Sequence, residues 1–266
     1  MLEEAQNNTA EELDMLREVA SVAYAAASDT VSPSTLLVIK LYLPNVPPQT
    51  VSSLMTFFLA MALHPTVQHK AQAEIDELLL NQDTALPTFE HKSLLPYIDA
   101  ISREVLRWRP VVPMGVPHAA IVDDIYEGYF IPKGIPIIPN IWAMTRDESV
   151  FGPNPDSFNP ERFLKDGSLV DANHTSLAFG FGPRACPGRF FAEDTMWLTM
   201  ASVLALFDIG KPTITNPDGV QVPADLDPEY TDGSLMRVPH PLPFNCSITP
   251  RSAAAEELLE KLQSQD

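Results

Sequence analysis

Three groups of residues in this chain have the types and spacing for chemistry. The first is the loop Phe179-Gly-Phe-Gly-Pro-Arg-Ala-Cys186-Pro-Gly188, which sets one cysteine among glycines just before an apolar helical stretch. Glycine permits positive φ and close backbone approach, and a helix N-terminus favours an anion. Both suit a thiolate, and main-chain N–H groups around the sulfur can donate to it, as a stable metal-bound thiolate requires. The same residues also fit a buried, inert thiol in a tight turn. The second group is Glu104 and Arg107, at i, i+3 on one face of a helix, with Arg162 downstream in Asn159-Pro-Glu-Arg-Phe163. Taken alone, Glu104 and Arg107 read as a surface pair worth at most about 1 kcal/mol. The third is Asp29-Thr30, where an acid beside an alcohol can relay protons but also fits a polar helix end. His118, in Val112-Pro-Met-Gly-Val-Pro-His118, is either turned to a ligand or an ordinary polar strand residue.

The elements that must hold these groups read as mainly α with small β-sheets. Apolar residues at a 3.6 period predict helices from Thr9 to Thr30, from Thr50 to Leu63, through Val67, Ala71, Ile75 and Leu78, and from Leu94 to Trp108. From Val111 to Pro139 the pattern turns strand-like, and Ile-Tyr-Glu-Gly-Tyr-Phe-Ile-Pro-Lys-Gly-Ile-Pro-Ile reads as a hairpin. Gly152 to Phe163 is irregular and proline-rich, and a long apolar helix is expected from Arg189 to Phe207. Short strands then lead to an acidic helix from Ala253 to Gln263, within a surface tail at 253–266.

Composition narrows the function classes. Hydrophobic residues make up 45% of 266, enough for a sizeable core. A formal net charge of −18 argues against nucleic-acid binding, which calls for a basic stripe. Two cysteines, Cys186 and Cys246, make no disulfide framework, so a reducing compartment is expected. The acidic, polar start reads as neither a secretory signal nor a membrane span, and no run reaches 18 apolar residues.

The cysteine loop matches F-x-x-G-x-R-x-C-x-G at every fixed position: Phe179, Gly182, Arg184, Cys186 and Gly188. In this it resembles the haem loop of the cytochrome P450 family, closest to microsomal fungal members. The resemblance runs from about Glu11 to Ser252 and implies the C-terminal part of that fold as one partial domain across 1–266. It implies haem b (iron protoporphyrin IX) with Cys186 as the axial thiolate, the ligation that the family exemplifies. Phe179 would shield the sulfur, Arg184 would pair with a propionate, Gly188 would let the next helix lie close, and His118 would meet the second propionate. Glu104, Arg107 and Arg162 resemble the family's structural Glu-Arg-Arg network, sharing bidentate hydrogen bonds.

Ala26-Ala-Ser-Asp29-Thr30 resembles the family's oxygen-activating segment, with Ala27 where glycine is usual. Asp29 and Thr30 would then deliver protons to dioxygen. Val111 to Val116 would line the pocket of a small apolar substrate, and Thr231 to Met236, with Leu235, would reach into it. Cys246 would be a strand residue. The family's partners would be an NADPH-cytochrome P450 reductase and dioxygen, and the intact parent would sit on the cytosolic face of the endoplasmic reticulum membrane through an anchor outside this chain. Two other readings remain beside a monooxygenase: a non-catalytic fragment, and a lyase-type relative that rearranges peroxides, against which Asp29-Thr30 speaks.

Residues 31–49 depart from the family. Four prolines (Pro33, Pro44, Pro47, Pro48) interrupt what would be one helix. Joining Thr30 directly to Thr50 restores both the family pattern and an unbroken amphipathic helix. Val-Ser is encodable as GTGAGT, a splice-donor sequence, and Gln as CAG, an acceptor end. The interval therefore reads as a translated intron, with a real insertion loop as its rival.

Overall fold

The computed structural model describes residues 48–80, 82, 84–170, 177–215, 220–226, 229–231, 239 and 241–263. The expected helix from Thr9 to Thr30, the pair Asp29-Thr30, nearly all of 31–49 and Leu235 lie outside the described residues. Contacts divide the chain at Val51/Ser52, and the unit 52–266 carries everything said below about the site.

Prolines set where the principal helices begin. Helix α1 spans Pro48–Leu63, α2 spans Pro65–Leu79 and α3 spans Pro96–Trp108. Each opens on a proline, whose fixed φ and missing N–H cost nothing in the first turn. This moves the start of α1 two residues ahead of the expected Thr50, into the end of the 31–49 interval. Helix α1 is apolar nearly all round and buried nearly all round: Leu54, Phe57, Leu59 and Met61 are fully enclosed, as a central core helix must be. Helix α3 ends at Trp108 because Pro110 disfavours helical backbone at Arg109, which takes φ −136°, ψ 79°.

Small antiparallel ladders follow. Strands β1 (His118–Ala119) and β4 (Pro136–Ile137) pair, and between them β2 (Asp124–Tyr126) and β3 (Tyr129–Ile131) form the expected hairpin. Two short helices, α4 (Ile141–Met144) and α5 (Glu148–Phe151), then lead into a 3-10 turn at Pro160–Phe163. The sequence pattern gave no sign of α4 or α5, because four residues are too few to show a period. Asn140 and Asp147 cap them, accepting from Ala143 N (3.0 Å) and Ser149 N (2.9 Å).

Strands β5 (Leu164–Lys165) and β6 (Ser168–Leu169) form one more ribbon. Helix α6 (Arg189–Leu206) packs on both α2 and α3. It runs into β7 (Phe207–Gly210), which pairs with β10 (Ser247–Pro250). Strands β8 (Thr213–Thr215) and β9 (Gln221–Pro223) form a further ribbon, and α7 (Ala253–Gln263) closes the described chain.

The free edge of β7 is covered by a side chain. Buried Gln68 on α2 donates to Ile209 O (2.9 Å) and accepts from Ile209 N (2.8 Å), and Gln72 donates to Phe207 O (3.1 Å) and Asp208 Oδ1 (2.9 Å). Two glutamines thus replace a neighbouring strand and satisfy main-chain groups that burial would otherwise orphan. Among the described residues, no helix is long and apolar enough to cross a membrane.

Candidate haem-thiolate site and its supporting network

Helix α3 brings Glu104 and Arg107 together as their spacing predicts, but not as a surface pair. Glu104 is fully buried and Arg107 is 3% exposed. Arg107 donates through Nε to Glu104 Oε2 (2.6 Å) and through Nη2 to Oε1 (2.8 Å). Arg162, on the 160–163 turn, donates through Nε to the same Oε1 (3.1 Å). Glu104 therefore joins two guanidinium groups 55 residues apart in sequence, with Asn159 N as a further donor to Oε1 (2.7 Å).

The arginines use their remaining N–H groups on main-chain carbonyls. Arg107 reaches Thr145 O (2.9 Å), Pro155 O (2.7 Å) and Ser157 O (3.2 Å). Arg162 reaches Phe151 O, and Ser157 O at 3.2 Å. The 145–162 segment, whose own main-chain bonds are short-range turns, is thereby fixed to α3. Trp108 Nε1 adds a bond to Asp156 O (2.8 Å), and Arg146 Nη2 returns one to Trp108 O (3.0 Å). These main-chain acceptors and Asn159 N were invisible in the sequence, since any residue supplies them. His64 stacks on Phe158 (centroids 5.3 Å apart) and meets Trp108 edge-on (6.3 Å), and burial lowers its pKa.

The cysteine loop lies between this network and α6. Gly180 and Gly182 take φ of +80° and +57°, conformations that a Cβ resists. They flank Phe181 and lead into a 3-10 turn at Gly182–Arg184. Cys186 N donates to Phe179 O (2.7 Å), closing the loop on itself, and Cys186 is exposed just ahead of α6. Phe179 is half-buried, with the Arg189 guanidinium 5.9 Å from its ring, and Arg189 pairs with Glu193 (2.8 Å). A Cβ on Gly188 would stand 3.9 Å from Cys186 Sγ, ordinary contact, and one on Gly182 would meet nothing within 4 Å. Arg184 is exposed beside the thiol in sequence, and His118 is exposed on β1, paired with Ile137. Cys246 is half-buried, and burial pushes its thiol pKa up.

Comparison with known proteins decides the family. The model described as cytochrome P450 matches residues 48–222, more than half of the chain. The chain belongs to the cytochrome P450 family. Among relatives, a cytochrome P450 monooxygenase of Armillaria gallica is 43% identical over 246 residues, covering 92% of this chain and 42% of its own length. One of Ampulloclitocybe clavipes is 46% identical over 210 residues, 79% of this chain and 37% of the relative. A zebrafish cytochrome P450 structure with abiraterone superposes with a TM-score of 0.62 at 32% identity, over 76% of this chain and 44% of that one. The chain therefore spans less than half the length of the P450 relatives it matches. The mainly helical fold with small antiparallel sheets is that of part of a P450, as the sequence predicted.

The P450 family implies a haem-thiolate cofactor, and the residues present fit one. The thiol is exposed, the space at Gly182 is open, and the aromatic side chains Phe181, Phe190 and Phe191 near it in sequence are exposed too. A soft sulfur donor, with exposed aromatic residues nearby in sequence, suits iron in a flat, apolar macrocycle better than it suits a hard cation.

Proposed function

We propose that this chain supplies the haem-holding half of a P450 monooxygenase acting on a small apolar substrate. The exposed Cys186 thiol at the head of α6, inside the segment matched to the family, carries this reading. When bound, haem supplies the redox-active iron for dioxygen chemistry. Cys186 would hold the iron through its thiolate, and its N–H, donated to Phe179 O, keeps the loop in shape. Arg184 would pair with one propionate and His118 with the other. Gly188 would leave room for the ring, and the Glu104–Arg107–Arg162 network holds the segment leading into the loop. By the resemblance, Asp29 and Thr30 would supply protons for dioxygen chemistry, and Val111, Val116 and Leu235 would give apolar contacts to the substrate. Electrons come from an NADPH-dependent reductase at the endoplasmic reticulum membrane, as the resemblance implies.

The 31–49 interval is read as a translated intron, because joining Thr30 to Thr50 restores an unbroken amphipathic pattern. Transcripts that retain these 19 codons as the main species would overturn it.

A second reading, a chain that binds no haem unaided, is favoured by one observation. No residue from 116 to 140 is buried, and the β2–β3 ribbon exposes Ile125, Tyr126, Tyr129 and Phe130 on both faces. Isolated ribbons of that kind are marginal in water. The reduced, carbon-monoxide difference spectrum of the 266-residue chain, beside Cys186→Ser, separates the two. A red-shifted Soret band lost in the variant supports the haem-thiolate reading, and no haem uptake supports the second.

A further inference from the structure

The turn that leads from the α3 network to His118 is held by a contact that only glycine permits. Gly115 N donates to Val112 O (2.9 Å), closing a tight turn through Pro113 and Met114. Trp142 N donates to Pro113 O (2.8 Å), and Ile141 N to Pro139 O (3.0 Å), so both sides of the seam are tied to the start of α4. Gly115 is buried between them with φ +59°. A Cβ there would stand 2.4 Å from Pro139 Cγ, 3.2 Å from Cδ and 3.3 Å from Pro139 O. Ordinary contact begins near 3.4 Å, so a methyl group must force the turn and Pro139 apart by about 1 Å. The proline ring cannot swing aside as a long side chain would.

This contact lies just past the end of the two-residue β1–β4 ladder, in which His118 opposes Ile137 and Ala119 opposes Pro136. A ladder this short holds little by itself, and the Gly115–Pro139 contact lengthens the seam on the side from which Val116 and His118 emerge.

We propose that Gly115 is a positioning residue: its missing side chain lets the Val112–Gly115 turn close on Pro139, and that closure sets where Val116 and His118 stand relative to the haem. The assignment rests on the haem-holding reading above, and its test keeps the two apart.

Four chains are compared: the unsubstituted protein, Gly115→Ala, Gly115→Ala with Pro139→Ala, and Gly128→Ala. Gly128 has φ +85° with nothing within 4 Å of an added Cβ, so its alanine variant carries the backbone strain without the collision. Two readouts are taken, haem titration followed at the Soret band and amide hydrogen exchange in peptides covering 111–120 and 134–144. Gly115→Ala is expected to weaken haem binding about tenfold, roughly the worth of one hydrogen bond to a charged group, and to speed exchange in both peptides. Adding Pro139→Ala should recover most of both effects, and Gly128→Ala should leave both unchanged. A Gly115→Ala chain that behaves like Gly128→Ala, or that Pro139→Ala does not rescue, overturns the assignment. If the unsubstituted chain takes up no haem, the haem-holding reading fails for this chain, and exchange decides the lock: faster exchange reversed by Pro139→Ala supports it, and unchanged exchange removes it.

Discussion

Replacing Glu104 by glutamine is the sharpest test of what holds the region before the cysteine loop. The substitution conserves volume and removes one charge. In the native protein Oε1 accepts from Arg107 Nη2, Arg162 Nε and Asn159 N, and Oε2 accepts from Arg107 Nε. A glutamine can keep its oxygen at the Oε1 position, but its amide then faces Arg107 Nε, donor to donor, where the native separation is 2.6 Å. Both guanidinium groups also lose their counter-charge while remaining buried, with side chains 2% and 6% exposed. Breaking a buried pair in this way costs about 3–5 kcal/mol, far more than the surface pair that the i, i+3 spacing alone suggests. For a unit of 52–266, each kcal/mol moves Tm by roughly 2–4 °C, so a fall of about 6–20 °C is expected. Thermal unfolding followed by circular dichroism measures it, with Lys92→Ala as a control. The Lys92–Asp194 pair is 29% and 50% exposed and is worth about 0–1 kcal/mol. A Glu104→Gln chain melting within 2 °C of the control would refute the reasoning, because the two arginines would then need no buried anion.

Other outcomes follow from the same structure. Gln68→Leu orphans both main-chain groups of Ile209 and should destabilise by roughly 2–6 kcal/mol at about 1–3 per buried unmet group, read by urea unfolding. Burial disfavours the charged form of His64, so its folded pKa lies below the unfolded value of about 6.5. Its contribution to stability is full above about 6.5 and is lost as pH falls through the folded value. His64→Phe should flatten the pH dependence of Tm in that window, and an unchanged slope would reject the assignment. Iodoacetamide should label Cys186 well before Cys246, whose half-burial raises its thiol pKa, as peptide mass mapping checks. In that experiment, equal labelling would place Cys246 on the surface.

Much of this architecture was legible in the residues. The Glu104–Arg107 spacing and the Arg162 segment pointed to one network, and the geometry joins all three through a single carboxylate. The hairpin around Glu127-Gly128, the long helix after Gly188 and the acidic final helix also appear where the patterns put them, because each rests on a local period or a glycine turn. What escaped were contacts whose partners are generic. Main-chain carbonyls at Thr145, Pro155 and Ser157 have no sequence mark, and Gln68 and Gln72 look like ordinary polar positions until β7 lies beside them. Gly115 was read as part of a pocket wall, because the proximity of Pro139 is a tertiary fact. Burial of the ion pair was equally hidden: the same Glu-x-x-Arg spacing fits an exposed helix face, and only the covering segment makes it interior.

The 145–162 segment shows where such a stretch keeps its instructions. Its shape is fixed by acceptors that every amino acid possesses, addressed by two guanidinium groups from outside or at its end. Its exposed side chains are therefore free to drift: a library randomised at Glu148, Ser149, Val150 and Asp156 should yield mostly folded chains. One randomised at Glu104, Arg107 and Arg162 should yield almost none but the starting sequence. In that sense much of this segment's path is written in three side chains, two of which lie in a helix some forty residues earlier.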